Sequence, residues 1–162
     1  EHPAEGMPSV RRRVAWSAPG LLVLCDDVVG DGAHRVEAWL QLPATTGGVE
    51  GDEARLTLAS GRSVLVQAAG AVERVELLRP ALGDAPGAGW YSKCYGTRSV
   101  GTALRLDAGT RPLPVQILTV LQASASPTPA RVESSQVAVH VQVGGRLISF
   151  PDDGSVRIGR IR

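Results

Sequence analysis

Short apolar segments recur along the whole chain, and Gly, Pro, Asp or Ser separates each from the next. Val, Leu and Ile dominate these segments. Several of them alternate apolar and polar residues with a period of two, the pattern of a strand with one buried face. No long window carries an apolar helical stripe closed by capping residues. We therefore predict an all-β fold, an antiparallel β-sandwich of two sheets with about 10–12 strands and little helix.

The predicted strands follow the apolar segments and end at turn residues such as those at Ser60–Arg62 and Gly144–Gly145. They are Val10–Trp16, Leu21–Val29, His34–Leu42, Ala54–Ala59, Ser63–Ala69, Val72–Leu78, Thr97–Leu106, Val115–Leu121, Arg131–Val143, Arg146–Phe150 and Ser155–Ile161.

The chain has 162 residues, enough for one domain with a sizeable core. It shows no internal repeat, and the segments after Pro129 are too few for a second core, so we predict a single domain over residues 1–162. A net charge of +1 gives no field that would attract nucleic acid or an anionic membrane. No apolar run approaches the ~20 residues of a membrane helix, and Glu1–Val10 lacks the apolar centre of a signal peptide.

The sequence gives little support for a metal site. The histidines His2, His34 and His140 lie far apart, and Cys25 and Cys94 form no CxxC pair. We expect His34 at a turn before a strand and His140 in a cross-strand pair. The two cysteines are expected to be free, partly buried thiols, with a disulfide between them as the alternative.

Adjacent acidic residues, Asp26 and Asp27, stand in a predicted strand and must point to opposite faces. They therefore cannot act together as acid and base on one substrate. We expect one to face solvent and the other to accept hydrogen bonds from Arg12 or a turn amide. The same alternation places Arg11 and Arg13 on one face and Arg12 on the other. Pairing with Asp or Glu is the expected role of these arginines, and docking against an acidic domain is the alternative.

Residues 89–98 stand apart because they hold one of three Trp, both Tyr and the only Lys. Aromatic faces stack on sugar rings, while Lys and Arg pair with uronate carboxylates or sulfates. The segment therefore predicts a binding edge for an acidic polysaccharide, with packing at the end of the core as the alternative. The predicted substrate-binding residues are Trp90, Tyr91, Lys93, Tyr95 and Arg98.

Three segments occur in a characteristic order: the basic strand Val10–Val14, the hairpin over Asp26–Pro43 and the aromatic segment Gly89–Gly96. In this order the chain, as far as about Leu121, resembles the C-terminal β-domain of the heparinase II/III-like polysaccharide lyases. That family has an N-terminal α-helical toroid followed by a β-sandwich region. It cleaves uronic-acid-containing glycans, such as glycosaminoglycans or alginate, by β-elimination, with Tyr and His or Asn as acid–base groups. Some members bind zinc.

The resemblance implies that the chain is the C-terminal fragment of a longer bacterial lyase that is periplasmic or secreted. The toroid with the catalytic tyrosine, and the segment with the catalytic and zinc-binding histidines, would lie upstream of Glu1. We therefore assign no catalytic or metal residue, expect no cofactor in this chain, and expect it to be inactive alone. The expected partners are the upstream toroid and, through the whole enzyme, an acidic polysaccharide. A stand-alone carbohydrate-binding module and a structural sandwich that mediates protein contacts are the alternative functions.

Overall fold

The computed structural model describes residues 7–17, 19–79, 89–92, 94–97, 99–125, 127–134 and 138–161. Within these ranges all regular secondary structure is β-strand, and all strand pairs are antiparallel. None of the described segments forms a helix long and apolar enough to cross a membrane. The predicted all-β antiparallel sandwich is confirmed.

The strands are numbered in chain order. They are β1 (Ser9–Ser17), β2 (Leu21–Val29), β3 (Ala33–Leu42), β4 (Ala44–Glu50), β5 (Glu53–Leu58), β6 (Ser63–Gly70), β7 (Arg74–Leu78), β8 (Trp90–Tyr91), β9 (Ser99–Val100), β10 (Thr102–Pro112), β11 (Val115–Gln122), β12 (Arg131–Ser134), β13 (Ala138–Val143), β14 (Arg146–Pro151) and β15 (Arg157–Arg160).

A six-stranded sheet, in the order β1-β2-β11-β6-β5-β4, lies at the centre of the fold. Its strand β2 is buried at every position except Leu22 and Val29. A strand buried on both faces is expected to be apolar at successive positions and not only at alternate ones. The near-continuous apolar run at the start of β2 has this property.

A further sheet covers each face of the central sheet, so the sandwich has three layers where the sequence predicted two sheets. On one face, the three-stranded sheet β3-β10-β7 contributes Leu104 and Leu106 to a core shared with Leu56 and the other inward residues of the central sheet. On the opposite face, the four-stranded sheet β12-β13-β14-β15 contributes Phe150 to a second core. The pair β8-β9 forms a small separate sheet.

Most predicted strands are present, with four differences, one of which is the short strand β8, which falls in no predicted strand. The predicted strand Arg131–Val143 is a hairpin of β12 and β13, in which Val132 lies opposite Val141. The predicted strand Thr97–Leu106 is divided at the buried Gly101 into β9 and β10. Strand β4 was not predicted because glycines and threonines hide its pattern. In each case the strand that a segment pairs with determines where the strand begins and ends. The residue pattern of the segment alone does not identify that partner.

Both cysteines are free, with Cys25 buried in the second core and Cys94 exposed. The expectation that both thiols are free is confirmed, whereas the expected partial burial is wrong, because one thiol is fully buried and the other is exposed. Burial, followed by the negative charge of Asp27, raises the pKa of Cys25 to about 12.

We expect iodoacetamide at about pH 8 to label Cys94 in the folded protein and to leave Cys25 unmodified, because the thiolate is the reactive form. Mass spectrometry of tryptic peptides measures the modified fraction at each site. A Cys94→Ser variant serves as the control, since it should take up label only after urea unfolding. Labelling of Cys25 in the folded protein at the rate of Cys94 would contradict the buried placement.

Candidate functional site

A cleft of about 300 Å³ opens between the first residues of β1 and the edge strand β3. Its apolar surface includes Val28 and Ile117, and its polar groups include Arg12 and Arg35, with Trp39 also in the lining. A concave apolar surface with a few polar groups is the usual form of a small-ligand site. The cleft is built mainly from the segment Val10–Pro43, on which much of the sequence resemblance depends.

Arg12 and Asp26 lie opposite each other on β1 and β2 and form a two-bond pair beside the cleft. Nε of Arg12 donates to Oδ1 of Asp26 at 2.6 Å, and Nη2 donates to Oδ2 at 2.8 Å. The hydrogen bond that Arg12 donates to Asp26 raises the pKa of Arg12. Asp26 is buried, whereas the Arg12 side chain is 47 % exposed. The pair therefore holds the arginine in place and leaves about half of its side chain accessible to a ligand.

Arg35 of β3 is held between two carboxylates at the other wall of the cleft. Its Nε donates to Oε1 of Glu37 at 2.9 Å, and its Nη2 donates to Oδ2 of Asp107 at 3.0 Å. The hydrogen bond with Glu37, followed by the charge of Asp107, raises the pKa of Arg35. The backbone N–H of Gly109 donates to Asp107 at 2.9 Å and, together with the charge of Arg35, lowers the pKa of Asp107. This wall is rich in charge but balanced in sign.

Trp39 is the aromatic residue of the cleft, and it is 41 % exposed. Its Nε1 donates to Oε2 of Glu37 at 3.1 Å, and Cζ of Arg105 lies 5.8 Å from the ring centroid. These contacts fix the indole while part of it stays open. A fixed aromatic ring beside guanidinium donors and carboxylate acceptors suits a sugar ring, which offers both a C–H face and hydroxyl groups.

Asp27 points to the opposite face of the central sheet and plays no part in the cleft. It accepts hydrogen bonds from Arg11 at 3.2 Å, Arg13 at 3.1 Å and Gln116 at 2.7 Å. The predicted opposite orientations of the two aspartates are confirmed. The expectation that one of them faces solvent is wrong, since Asp26 is 4 % exposed and Asp27 is 7 % exposed. The reason is that a sheet covers each face of β2.

The structure describes part of the predicted substrate-binding cluster. Trp90 lies in β8, where it pairs with Val100 and is partly buried, and Tyr95 is fully exposed in a turn. Lys93 and Arg98 lie outside the described residues, as does the side chain of Tyr91. Neither Trp90 nor Tyr95 lines the cleft. The cluster therefore stays a prediction.

The other sequence expectations concern histidines and metals. His34 lies near the start of β3 with Nε2 2.9 Å from the carbonyl oxygen of Asp31, and His140 pairs with Ser149 through Nδ1 and Oγ at 2.8 Å. Both predicted roles are confirmed. In the part of the chain that the structure describes, no three His, Cys, Asp or Glu side chains are grouped so that they could hold a metal ion.

Sequence reasoning did not single out the cleft. The available signal was the alternation of Arg35, Glu37 and Trp39, which places two charges and an aromatic ring on one face of β3. Their partners Arg105 and Asp107 come from β10, far along the chain, so the strand pairing had to be known first.

No protein-family model matches the sequence, and no curated protein matches it. Solved structures do share its architecture. The chain is similar to the heparinase III BT4657 gene product with methylated lysines, with a TM-score of 0.62 and 15 % identity over 98 % of this chain and 24 % of that chain. The fold is that of the C-terminal part of heparinase III.

Two further structures agree with this match. A second structure of the heparinase III BT4657 gene product gives a TM-score of 0.62 and 17 % identity over 93 % of this chain and 23 % of that chain. A mutant of the heparan sulfate lyase HepC from Pedobacter heparinus gives a TM-score of 0.56 and 12 % identity over 94 % of this chain and 24 % of that chain. The chain therefore spans about a quarter of the length of these proteins, and the predicted resemblance to heparinase-like β-domains is confirmed at the level of the fold.

Proposed function

We propose that the chain is the C-terminal β-sandwich of a heparinase II/III-like polysaccharide lyase that cleaves uronic-acid-containing glycans by β-elimination. The observation that supports this proposal is the match of 98 % of the chain to one end of heparinase III. In this proposal the catalytic groups, and any zinc, belong to an upstream toroid. The whole protein is then a periplasmic or secreted bacterial enzyme.

We assign to this chain the role of holding the glycan, with the cleft as the first candidate surface. Arg12 and Arg35 face nearby carboxylates, so the cleft has little net charge. Binding there would come mainly from stacking on Trp39 and from hydrogen bonds, and it would depend weakly on salt. The predicted cluster at residues 89–98 is the second candidate surface. Its cations Lys93 and Arg98 would make binding fall steeply with salt.

A stand-alone carbohydrate-binding module is the second candidate function. One observation favours it, namely that the cleft holds a partly exposed aromatic ring, Trp39, whose position is fixed by Glu37 and Arg105 of the same chain. Such a module would bind glycan with the same affinity whether or not a toroid is attached to it, whereas a lyase domain would bind more tightly in the whole protein.

We expect Trp39→Ala to weaken glycan binding by the isolated chain about 2- to 30-fold, as loss of one aromatic stacking contact of about 0.5–2 kcal/mol predicts. The measurement is a titration with uronate-containing oligosaccharides followed by amide chemical shifts at two salt concentrations. Tyr95→Ala, at the other aromatic surface, is the matched control and should change the affinity little. Ultraviolet absorbance of the same samples should show no unsaturated product.

Two results would contradict these assignments. Changes in amide chemical shift that centre on residues 89–97, and that disappear in Tyr95→Ala and at high salt, would assign the glycan site to the predicted cluster. Absence of any binding by the chain, together with wild-type kinetics of the whole enzyme carrying Trp39→Ala, would remove glycan contact from the role of this domain.

A further inference from the structure

Three apolar side chains of strand β1 are uncovered on the face that also carries Arg12, which lies between the first two of them. Val10, Val14 and Trp16 are 68 %, 51 % and 76 % exposed. Directly opposite them on β2, Val28 faces Val10 and Leu24 faces Val14, yet each of these β2 residues is only 7 % exposed. The three-stranded sheet therefore covers β2 and stops short of β1. We call Val10, Val14 and Trp16 the β1 strip.

The β1 strip continues into an apolar groove of about 230 Å³ beside Trp16. Leu22, Leu42, Leu58 and Leu121 contribute to its walls, and no charged residue is among the described residues that line it. An apolar surface that extends from an exposed strand into a groove is larger than the scattered apolar residues of an ordinary surface. Such continuity marks an interaction site.

Strand β1 is also an edge of the central sheet, since β2 is its only strand partner among the described residues. It is nine residues long, and an edge strand of this length presents unpaired backbone groups to further protein. The arginines of β1 are unequal in their exposure. Arg11 and Arg12 are 50 % and 47 % exposed, whereas the Arg13 side chain is 4 % exposed and is not available to a partner.

A second copy of the chain fits this edge poorly. The antiparallel pairing that sets Val10 of one copy against Val14 of the other places Arg12 opposite Arg12. It also places Arg11 opposite Arg13. Like charges directly opposite each other destabilise a strand pair. The arginines of β1 already have carboxylate partners in Asp26 and Asp27, so an apolar segment that brings no further cation has the complementary chemistry.

We propose that the β1 strip and its groove dock another part of the same polypeptide, through an apolar segment that brings no cation opposite Arg11 and Arg12. The inference rests on the proposed function, in which this chain belongs to a longer protein. The similar solved chains are about four times as long as this one, so most of each lies outside the matched sandwich and has to pack against it somewhere. The β1 strip is a large apolar surface that the sandwich itself leaves open.

Hydroxyl-radical footprinting of the full-length protein against the isolated chain tests this docking. We expect the oxidation rate of Trp16 to fall about fivefold in the full-length protein, as burial in an interface core predicts, with no dependence on protein concentration. Ile158 of β15, which is 48 % exposed and lies outside both the strip and the cleft, is the matched control, and its rate should change little. In full-length protein carrying Val14→Thr and Trp16→Glu, Val10 should regain the oxidation rate that it has in the isolated chain, because a buried charge opens the contact.

Three results would overturn the proposal. They are equal oxidation of Trp16 in both proteins, protection of Trp16 in the isolated chain that grows with concentration, and a reading frame with no coding region upstream. The second result would assign the strip to a second copy of the chain. Protection of Trp16 in a full-length protein that neither binds nor cleaves uronate glycans would keep the docking surface and overturn the proposed function.

Discussion

Replacing Asp27 with alanine is expected to lower the free energy of unfolding by about 3–5 kcal/mol, because it leaves a buried arginine without its counter-ion. Nη2 of Arg13 lies 2.9 Å from Oδ2 of Asp27, and the Arg13 side chain is 4 % exposed. The other contacts of Arg13, to the carbonyl oxygen of Pro151 at 2.6 Å, to Sγ of Cys25 at 3.4 Å and to the ring of Phe150, do not neutralise its charge. Urea unfolding followed by circular dichroism measures the loss.

The neighbouring aspartate provides a matched control for this prediction. Asp26 is equally buried and is paired as closely, but its partner Arg12 is 47 % exposed and turns to water when the carboxylate is removed. Asp26→Ala should therefore cost only about 1–2 kcal/mol, the range of a lost hydrogen-bonded pair with one exposed partner. Equal losses in the two variants would mean that the burial of the arginine does not control the stability of these pairs.

The arrangement of these charges shows what the sequence could predict. Strand geometry requires alternate residues to share a face, so the placement of Arg11 with Arg13 and the separation of Asp26 from Asp27 followed from the sequence alone. The burial of Asp27 did not. Arg13, its ion-pair partner, also bonds to Pro151, which lies 138 positions further along the chain, and only the fold brings β14 over β1 and β2.

The candidate site was harder to predict for the same reason. Residues 89–98 were predicted to bind substrate because aromatic and cationic residues lie close together there in the sequence. The cleft, in contrast, combines β1 with β3 and depends on Arg105 and Asp107 of β10 to hold its side chains. The closeness of aromatic and charged residues along the chain can be read from the sequence. The concave surface of a cleft, in contrast, depends on how strands that are distant in sequence pack together.

The third layer also bears on how many cooperative units the chain contains. The sequence predicts one domain over residues 1–162. Both apolar cores lie against the same central sheet, since β2 and β11 contribute residues to each of them. Shared strands couple the two cores, so loss of packing on one face should weaken the other. Replacing a large buried side chain of the four-stranded sheet with a small one tests this coupling.

We expect Phe150→Ala to lower the free energy of unfolding by about 3–5 kcal/mol, the cost of a large cavity at a site that cannot collapse. Phe150 is 0 % exposed in the core between the central and the four-stranded sheets, and Cζ of Arg13 lies 5.4 Å from its ring centroid. The substitution therefore removes apolar packing and the aromatic partner of a buried cation at once. Urea unfolding should still show one transition by tryptophan fluorescence and by circular dichroism.

Ile158→Ala is the matched control, because Ile158 belongs to the same sheet but is 48 % exposed, and it should cost less than about 1 kcal/mol. Two separate transitions in Phe150→Ala, with one retaining the wild-type midpoint, would contradict the coupling. That result would show that β12–β15 unfold independently and that the chain holds two units. A single transition with a lower midpoint and an unchanged denaturant slope requires that the two cores on opposite faces of β2 and β11 fold together.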